Sequence, residues 1–205
     1  MTSTRQRAVF SIALAVGLAS LAACQGEEAS LAFDGAETRS AGVGDFALRS
    51  TSFADGESIP RRHSAYGDDV SPALAWQPVE GAASYALVME DPDADRPAPY
   101  VHWVAWNIPA TATALDEGLR ADARLAAPAG MQQGLNDRGS TGYFGPKPPA
   151  GSGLHHYHVQ LFALDTTLDI AADADRNALV KAMRGHVLGR ARLVGTYAAP
   201  DTARP

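Results

Sequence analysis

Short apolar segments separated by turn signals set the strongest limit on how this chain can fold. From residue 46 onward such segments alternate with Asp-Gly, Asp-Pro, Gly-Pro and Pro-Pro turns, without a regular alternation of strand and helix patterns. Short apolar runs bounded by Gly and Pro favour β-strands, and many of them at close spacing favour an antiparallel sandwich or barrel. The predicted strands are residues 46–50, 83–90, 101–108, 154–164 and 192–198.

Composition narrows the class of protein further. The chain has 205 residues, of which 46% are hydrophobic and 20% charged. These values exclude a collagen-like, disordered or polytopic membrane chain. The formal net charge of −6 argues against a broad nucleic-acid surface, so no nucleic-acid partner is expected. The single cysteine can form neither an internal disulfide nor a cysteine-based zinc site.

Residues 1–23 have the layout of a lipoprotein signal peptide. Arg5 and Arg7 precede an apolar run that is short for a membrane span. The run ends in Leu21-Ala22-Ala23-Cys24, which resembles the bacterial lipobox, in which the cysteine is acylated and becomes the new N-terminus. The alternative is ordinary signal cleavage beside an incidental cysteine. The position of the only cysteine favours acylation at Cys24, since an unpaired secreted thiol otherwise needs a reason.

The signal peptide predicts a location in the cell envelope, with the chain anchored to the membrane by its acyl groups. Gln25 follows the cysteine, and by resemblance to Gram-negative lipoproteins this predicts the outer membrane, facing the periplasm. Residues 24–45 are poor in large apolar side chains and are predicted to be the acylated cysteine and a flexible tether. The folded domain is then 46–205.

One helix is predicted near the C-terminus, at residues 174–188. Asp173 or Asp175 can cap its N-terminus, and Gly189 suits its end. Apolar side chains recur on one stripe of this segment, at Leu179, Met183 and Val187.

Strand periodicity divides the histidines into two groups, because side chains alternate between the two faces of a strand. The alternation places His102 on the face of Val104 and Trp106, among hydrophobic neighbours. In the segment 154–164 it places His155 and Tyr157 at the end of a core stripe, and leaves His156 and His158 on a more exposed face. Buried imidazoles need hydrogen-bond partners, so His102 and His155 are either structural core residues or parts of a small polar pocket.

Several functional motifs are incomplete in this sequence. Asp91, Asp93 and Asp95 begin like a calcium loop, but the glycine and the final carboxylate of that motif are missing. The spacing of His156 and His158 gives at most two metal ligands, so no metal or cofactor is expected. The Gly-Ser-Gly of residues 151–153 lacks the pattern and context of a nucleophile elbow, so no catalytic residue is assigned.

The order of the remaining motifs resembles the phosphatidylethanolamine-binding protein family, in its bacterial Raf-kinase-inhibitor-like branch, over residues 46–197. Each motif alone is weak, but the ordered set is specific. The matching pieces are Asp55-Gly56, Asp91-Pro92-Asp93-Ala94, Val101-His102-Trp103, Asn136-Asp137, Gly145-Pro146, Pro148-Pro149, His155-x-Tyr157 and Leu193-Val194-Gly195-Thr196-Tyr197.

This resemblance implies a mostly β fold, a two-sheet antiparallel β-sandwich with a few peripheral helices, one of them near the C-terminus. It also implies a small anion pocket for phosphate-bearing small molecules or phospholipid head groups. The pocket residues implied by motif position are Asp91, His102, His155 and Tyr157, with Gly145 and Pro146 at its rim. In this interpretation the histidines donate to a phosphate, and Asp91 orients an imidazole or accepts from an ammonium group.

The sequence departs from the family pattern at two positions. Asp95 stands where a proline is usual, and His156 replaces the arginine of a His-Arg-Tyr element. Both changes affect the choice of ligand more than the fold. The main hypothesis is a non-enzymatic binding module. The alternative is an extracytoplasmic inhibitor of a protein target such as a serine protease. A hydrolase ranks last, because the sequence shows no nucleophile beside the histidines.

Overall fold

The computed structural model of this chain describes Ala32 and residues 46–200, and two antiparallel sheets dominate these residues. Cys24, the signal peptide and all of the predicted tether except Ala32 lie outside the described residues. The sandwich and its helix confirm the predicted fold class. The elements are β1 (Leu48–Arg49), β2 (Leu74–Trp76), β3 (Ser84–Asp91), β4 (Tyr100–Pro109), β5 (Ala114–Leu115), β6 (Gln132–Gln133), β7 (Leu154–Leu164), α1 (Arg176–Met183), β8 (Val187–Ala198) and a 3-10 turn at Arg61–His63.

The larger sheet has the strand order β6-β4-β3-β7-β8, and the smaller sheet has the order β1-β2-β5. The long pairing of β7 with β8 runs from Leu154 opposite Ala198 to Leu164 opposite Val187. The predicted bounds of β7 match the structure, because the glycine-rich turn of residues 151–153 lies directly before a segment with apolar side chains at every second position from Tyr157 to Ala163. The prediction for β8 began at residue 192 and missed its first five residues.

The C-terminal helix is shorter than predicted, since α1 ends at Met183 and Val187 already belongs to β8. Gly185 follows the helix with a φ of 76°, a left-handed conformation that glycine adopts without a Cβ clash. The helix therefore ends just before Gly185 and not at Gly189. Of the two predicted capping residues, Asp175 caps the helix, because its side chain accepts a hydrogen bond from the Ala178 N–H at 2.9 Å.

Two irregularities in the pairing of β3 with β4 change the faces of β4. Glu90 pairs with Val101 and Met89 with Trp103, so His102 is an extra residue on β4. The bulge moves the His102 ring to the side of Tyr157, and their ring centroids lie 5.1 Å apart. Simple alternation had placed His102 with Val104 and Trp106, and that prediction was wrong because the bulge breaks the period of two.

The larger sheet is buried on both faces. One core lies between the two sheets and includes Trp76, Leu87 and Trp103. The second core packs α1 on the outer face, through Leu179 and Met183. Burial on both faces explains why β3 is apolar along nearly its whole length.

The outer face also holds a buried ion pair. Glu90 accepts from the Arg176 Nε at 2.9 Å and from the Gln160 amide. The Ala32 N–H donates to the same carboxylate at 2.8 Å, and Ala32 is fully buried. Arg176 at the start of α1 is thereby tied to the end of β3, next to Asp91.

Within the described ranges, no helix has both the length and the hydrophobicity that a membrane span requires.

Candidate functional site

A cavity of about 350 Å³ opens where the end of β3 meets the starts of β4 and β7. It brings together four of the six predicted ligand-binding residues. The loop 144–149 forms its remaining wall. The full lining is Asp91, Ala94, Asp95, Arg96, Tyr100, His102, Phe144, Lys147, Pro148, Pro149, His155 and Tyr157.

His102 is fixed by the backbone of Phe144. Its Nδ1 lies 2.7 Å from the Phe144 carbonyl oxygen, and the Phe144 N–H donates back to the His102 carbonyl at 2.9 Å. The two rings stack with centroids 5.6 Å apart. Burial lowers the pKa of His102, although the Phe144 carbonyl and the Asp91 charge act in the opposite direction. The imidazole is therefore neutral at pH 7, with its proton on Nδ1 and a lone pair on Nε2.

The Tyr157 side chain is fully buried at the cavity wall, edge-on to His102. Its hydroxyl makes no hydrogen bond of ordinary length among the residues that the structure describes, although the Asp91 carboxylate lies near enough to interact with it. Burial raises the pKa of this phenol, and the Asp91 carboxylate raises it further. The hydroxyl therefore keeps its proton at any physiological pH and has an unused capacity to donate.

His155 connects Asp91 to a serine that the sequence analysis did not assign. Its Nδ1 lies 2.8 Å from Asp91 Oδ2, and its Nε2 lies 2.8 Å from Ser152 Oγ. His155 and Asp91 are both only 3% exposed, whereas Ser152 is exposed. The expectation that Asp91 orients an imidazole agrees with this contact. The signal for Ser152 was its position three residues before His155 in a glycine-rich loop.

The cations at the cavity are few. Lys147 is exposed and makes no ion pair within the described part of the chain. Arg96 is paired with Asp137 at 2.7 Å and lies over the Tyr100 ring. Asp95 adds an exposed carboxylate to the same lining. The entrance is thus mixed in charge and not strongly basic.

His156, in the place of the family's arginine, turns to a neighbouring carboxylate. Its ring and its N–H both contact Asp93 Oδ2, at 2.7 and 2.8 Å. Partial burial raises the pKa of Asp93, but these hydrogen bonds outweigh it, so the net pKa is lowered. The His156 side chain is about half exposed, as the strand alternation predicted. It belongs to this surface pair with Asp93 and does not line the cavity.

Gly145 and Pro146 support the cavity from behind without lining it. The Gly145 N–H donates to Asp69 Oδ1 at 2.7 Å, so it is not available to a ligand, and proline has no N–H. A Cβ at Gly145 would lie 2.2 Å from the His63 carbonyl oxygen. Their role is to hold the loop close to the domain, which places Lys147, Pro148 and Pro149 at the cavity.

Within Ala32 and residues 46–200, no group of three His, Cys, Asp or Glu side chains is placed to hold a metal ion. The cavity is instead lined by aromatic rings and prolines together with charged side chains and two histidines. This design is typical of a site for a small organic ligand with a polar head.

Fold and cavity together define a two-sheet β-sandwich protein with a cavity large enough for a small molecule, and comparison with known proteins identifies its family. The family model described as phosphatidylethanolamine-binding protein matches residues 49–198. The chain belongs to this family. It is 45% identical over 151 residues to a UPF0098 protein of Methanothermobacter thermautotrophicus, covering 73% of this chain and 97% of that protein. It is 41% identical over 150 residues to LppC of Mycobacterium tuberculosis, which is named as a candidate lipoprotein, covering 73% of this chain and 71% of LppC.

Two solved structures share the fold. Escherichia coli YbcL, described as a member of the mammalian phosphatidylethanolamine-binding protein family, superposes with a TM-score of 0.70 at 30% identity. It covers 76% of this chain and 99% of its own. The homolog CT736 of Chlamydia trachomatis gives a TM-score of 0.67 at 32% identity, covering 76% and 98%.

Proposed function

We propose that this protein is a binding module for a small ligand that carries a phosphate group, either free or as a phospholipid head group. The observation that carries the proposal is the buried hydroxyl of Tyr157 beside His102, which makes no hydrogen bond of ordinary length within the described residues. A buried hydroxyl without a hydrogen bond lowers the stability of the folded protein. Its presence at a cavity is therefore consistent with a ligand that accepts its hydrogen bond.

The protonation states of the site set the form of the ligand. His102 uses its Nδ1–H on Phe144, so at neutral pH its Nε2 accepts and does not donate. A phosphate that carries one proton can donate P–O–H to that nitrogen and accept from the Tyr157 hydroxyl. A second phosphate pKa near 6 leaves part of the ligand singly protonated at pH 7.

The rim fits a modest affinity and a zwitterionic ligand. Lys147 can attract the phosphate charge, while the exposed carboxylate of Asp95 can receive an ammonium group. The arginine that lines the cavity, Arg96, is engaged by Asp137, so it is not available for bidentate phosphate binding. Asp91 is already committed to His155 and has a positioning role in this proposal.

A thermal titration tests the proposal. The full chain, purified in detergent, is titrated with phosphate, phosphoethanolamine and ethanolamine, in parallel with Tyr157→Phe. A ligand at a hundredfold over its dissociation constant should stabilise the parent by about 2.7 kcal/mol. The proposal requires that phosphate or phosphoethanolamine stabilise the parent, that ethanolamine have no effect, and that the variant respond much less. An equal response of both proteins would contradict it.

We further propose that Cys24 is acylated and holds the domain at the cell envelope, in the outer membrane if the cell has one. The sequence at residues 21–24 and the 41% identity to LppC support this proposal. Metabolic labelling with an alkyne fatty acid tests it. Label on the parent and none on Cys24→Ser is expected, and an unlabelled parent would contradict the anchor.

A further inference from the structure

We infer that Ser152, His155 and Asp91 form a nucleophilic relay, and that Ser152 is acylated by carboxylic esters. Ser152 does not line the cavity itself, but its hydroxyl contacts two residues that do, His155 and Pro149, so an ester at the cavity mouth can reach it. This activity goes beyond ligand binding, because the ligand would be cleaved. The three residues lie on two strand ends and one loop, and hydrogen bonds of 2.8 Å join them in sequence. A serine, a histidine and an acid joined in this order are the parts of an activated serine nucleophile.

The buried carboxylate decides where the imidazole proton lies. Asp91 Oδ2 accepts from His155 Nδ1, and this contact is almost fully removed from solvent. In the neutral ring a proton held on Nδ1 leaves the lone pair on Nε2. That lone pair faces Ser152 Oγ at hydrogen-bond distance, as a general base must.

The serine hydroxyl has two acceptors within reach. Besides His155 Nε2, its Oγ lies 2.9 Å from the Pro149 carbonyl oxygen. The single hydroxyl proton can point to only one acceptor at a time. Rotation about the Ser152 Cβ–Oγ bond is sufficient to direct it from the Pro149 carbonyl to His155 Nε2. Ser152 is exposed while its base is buried, so a substrate can approach the nucleophile from solvent.

The chemical step balances with water as the second reactant. Ser152 Oγ forms a bond to the ester carbonyl carbon while its proton passes to His155 Nε2. The ester C–O bond then breaks, and the leaving alkoxide takes that proton. Water attacks the acyl-serine in the same way, releasing the carboxylic acid and restoring the serine.

The cavity favours a small ester with an apolar acyl or alcohol group. Phe144, Pro148 and Pro149 give it apolar walls, and its volume of about 350 Å³ lies at the lower end for small-molecule sites. Lys147 at the lining favours an ester that also carries an anionic group.

The test uses a fluorophosphonate as a probe of nucleophilic serines. In that reaction a bond forms from Ser152 Oγ to phosphorus, fluoride leaves, and the serine proton passes to His155. The full chain is treated with the probe, and adducts are located by peptide mass spectrometry. We expect a single adduct at Ser152 that is absent from Ser152→Ala and retained by Ser58→Ala. Ser58 is also exposed, but unlike Ser152 it makes no side-chain hydrogen bond to a histidine within the described residues.

The role of Asp91 is tested by the labelling rate. Asp91→Asn should slow labelling about a hundredfold or more, because the amide no longer holds the proton on Nδ1. Asp91→Glu should recover part of the rate, and circular dichroism should show all variants folded. A folded parent without adduct, an adduct elsewhere only, or equal rates for Asp91→Asn and parent would overturn the relay. Phosphate titration of Ser152→Ala is independent of it, so failure of binding and failure of the relay are separable.

Discussion

The His102 and Tyr157 rings meet edge to face at the cavity, with centroids 5.1 Å apart and planes at 79°. His102 reaches this position only because it is the extra residue of a bulge between β3 and β4. The imidazole is committed to Phe144 through Nδ1, whereas the phenol makes no hydrogen bond of ordinary length in the described chain. The pair therefore offers a ligand one acceptor and one donor side by side.

Tyr157→Phe should stabilise the empty protein while weakening phosphate binding. Removing an unsatisfied buried hydroxyl should raise the free energy of unfolding by about 1 kcal/mol. Tyr66→Phe is the matched control, because the Tyr66 hydroxyl donates to the Pro148 carbonyl at 2.7 Å. That variant should lose about 1 kcal/mol. Urea denaturation measures the free energy of unfolding of both variants. A loss of stability in Tyr157→Phe would show that the Tyr157 hydroxyl of the parent already makes a hydrogen bond.

Lowering the pH should destabilise the empty protein through His102. Burial lowers its folded pKa below 6.5, so the unfolded state binds more protons between the two values. The stability contribution is full above pH 6.5 and is lost as the pH falls toward the folded pKa. His102→Gln lacks this dependence, so the stability difference between parent and variant should shrink from pH 7.5 to pH 5. A constant difference across this range, measured by denaturation, would refute the assignment.

Gly145→Ala should displace the loop of residues 144–149 from the domain and weaken ligand binding. The added Cβ would lie 2.2 Å from the His63 carbonyl oxygen and 2.9 Å from Ser64 Cα, so the backbone must move. A loss of about 3 kcal/mol is expected. Gly153→Ala is the control, since its φ of 91° is strained for alanine but nothing lies within 4 Å. It should lose only about 1–2 kcal/mol. Comparable thermal midpoints of the two variants would argue against a tight contact at Gly145.

Arg176→Met should be strongly destabilising, because it leaves the Glu90 carboxylate buried without its cation. The expected loss is about 3–5 kcal/mol. Adding Glu90→Gln to this variant should restore part of the stability. Arg120→Met, which breaks an exposed pair with Asp122, should change the urea midpoint little. Similar midpoints of Arg176→Met and Arg120→Met would show that the buried pair contributes little.

The sequence by itself predicted an antiparallel sandwich or barrel, and the family resemblance selected the sandwich. Local alternation of side chains between turns also gave the bounds of β7 and the buried positions of His155 and Tyr157. It also brought Asp91, His102, His155 and Tyr157 forward as one candidate site through ordered motifs. Their presence around one cavity agrees with that expectation.

Only the tertiary structure decided how these residues are used. The face of His102 depends on a bulge, which is set by the register of two strands and breaks the period on which sequence analysis relies. The contact of Ser152 with His155 depends on how a glycine-rich loop folds back, and the use of the Gly145 N–H depends on Asp69, 76 residues away in the chain. Pairings between distant segments leave no periodic signal, so the donors and acceptors of the site become visible only when the chain is folded.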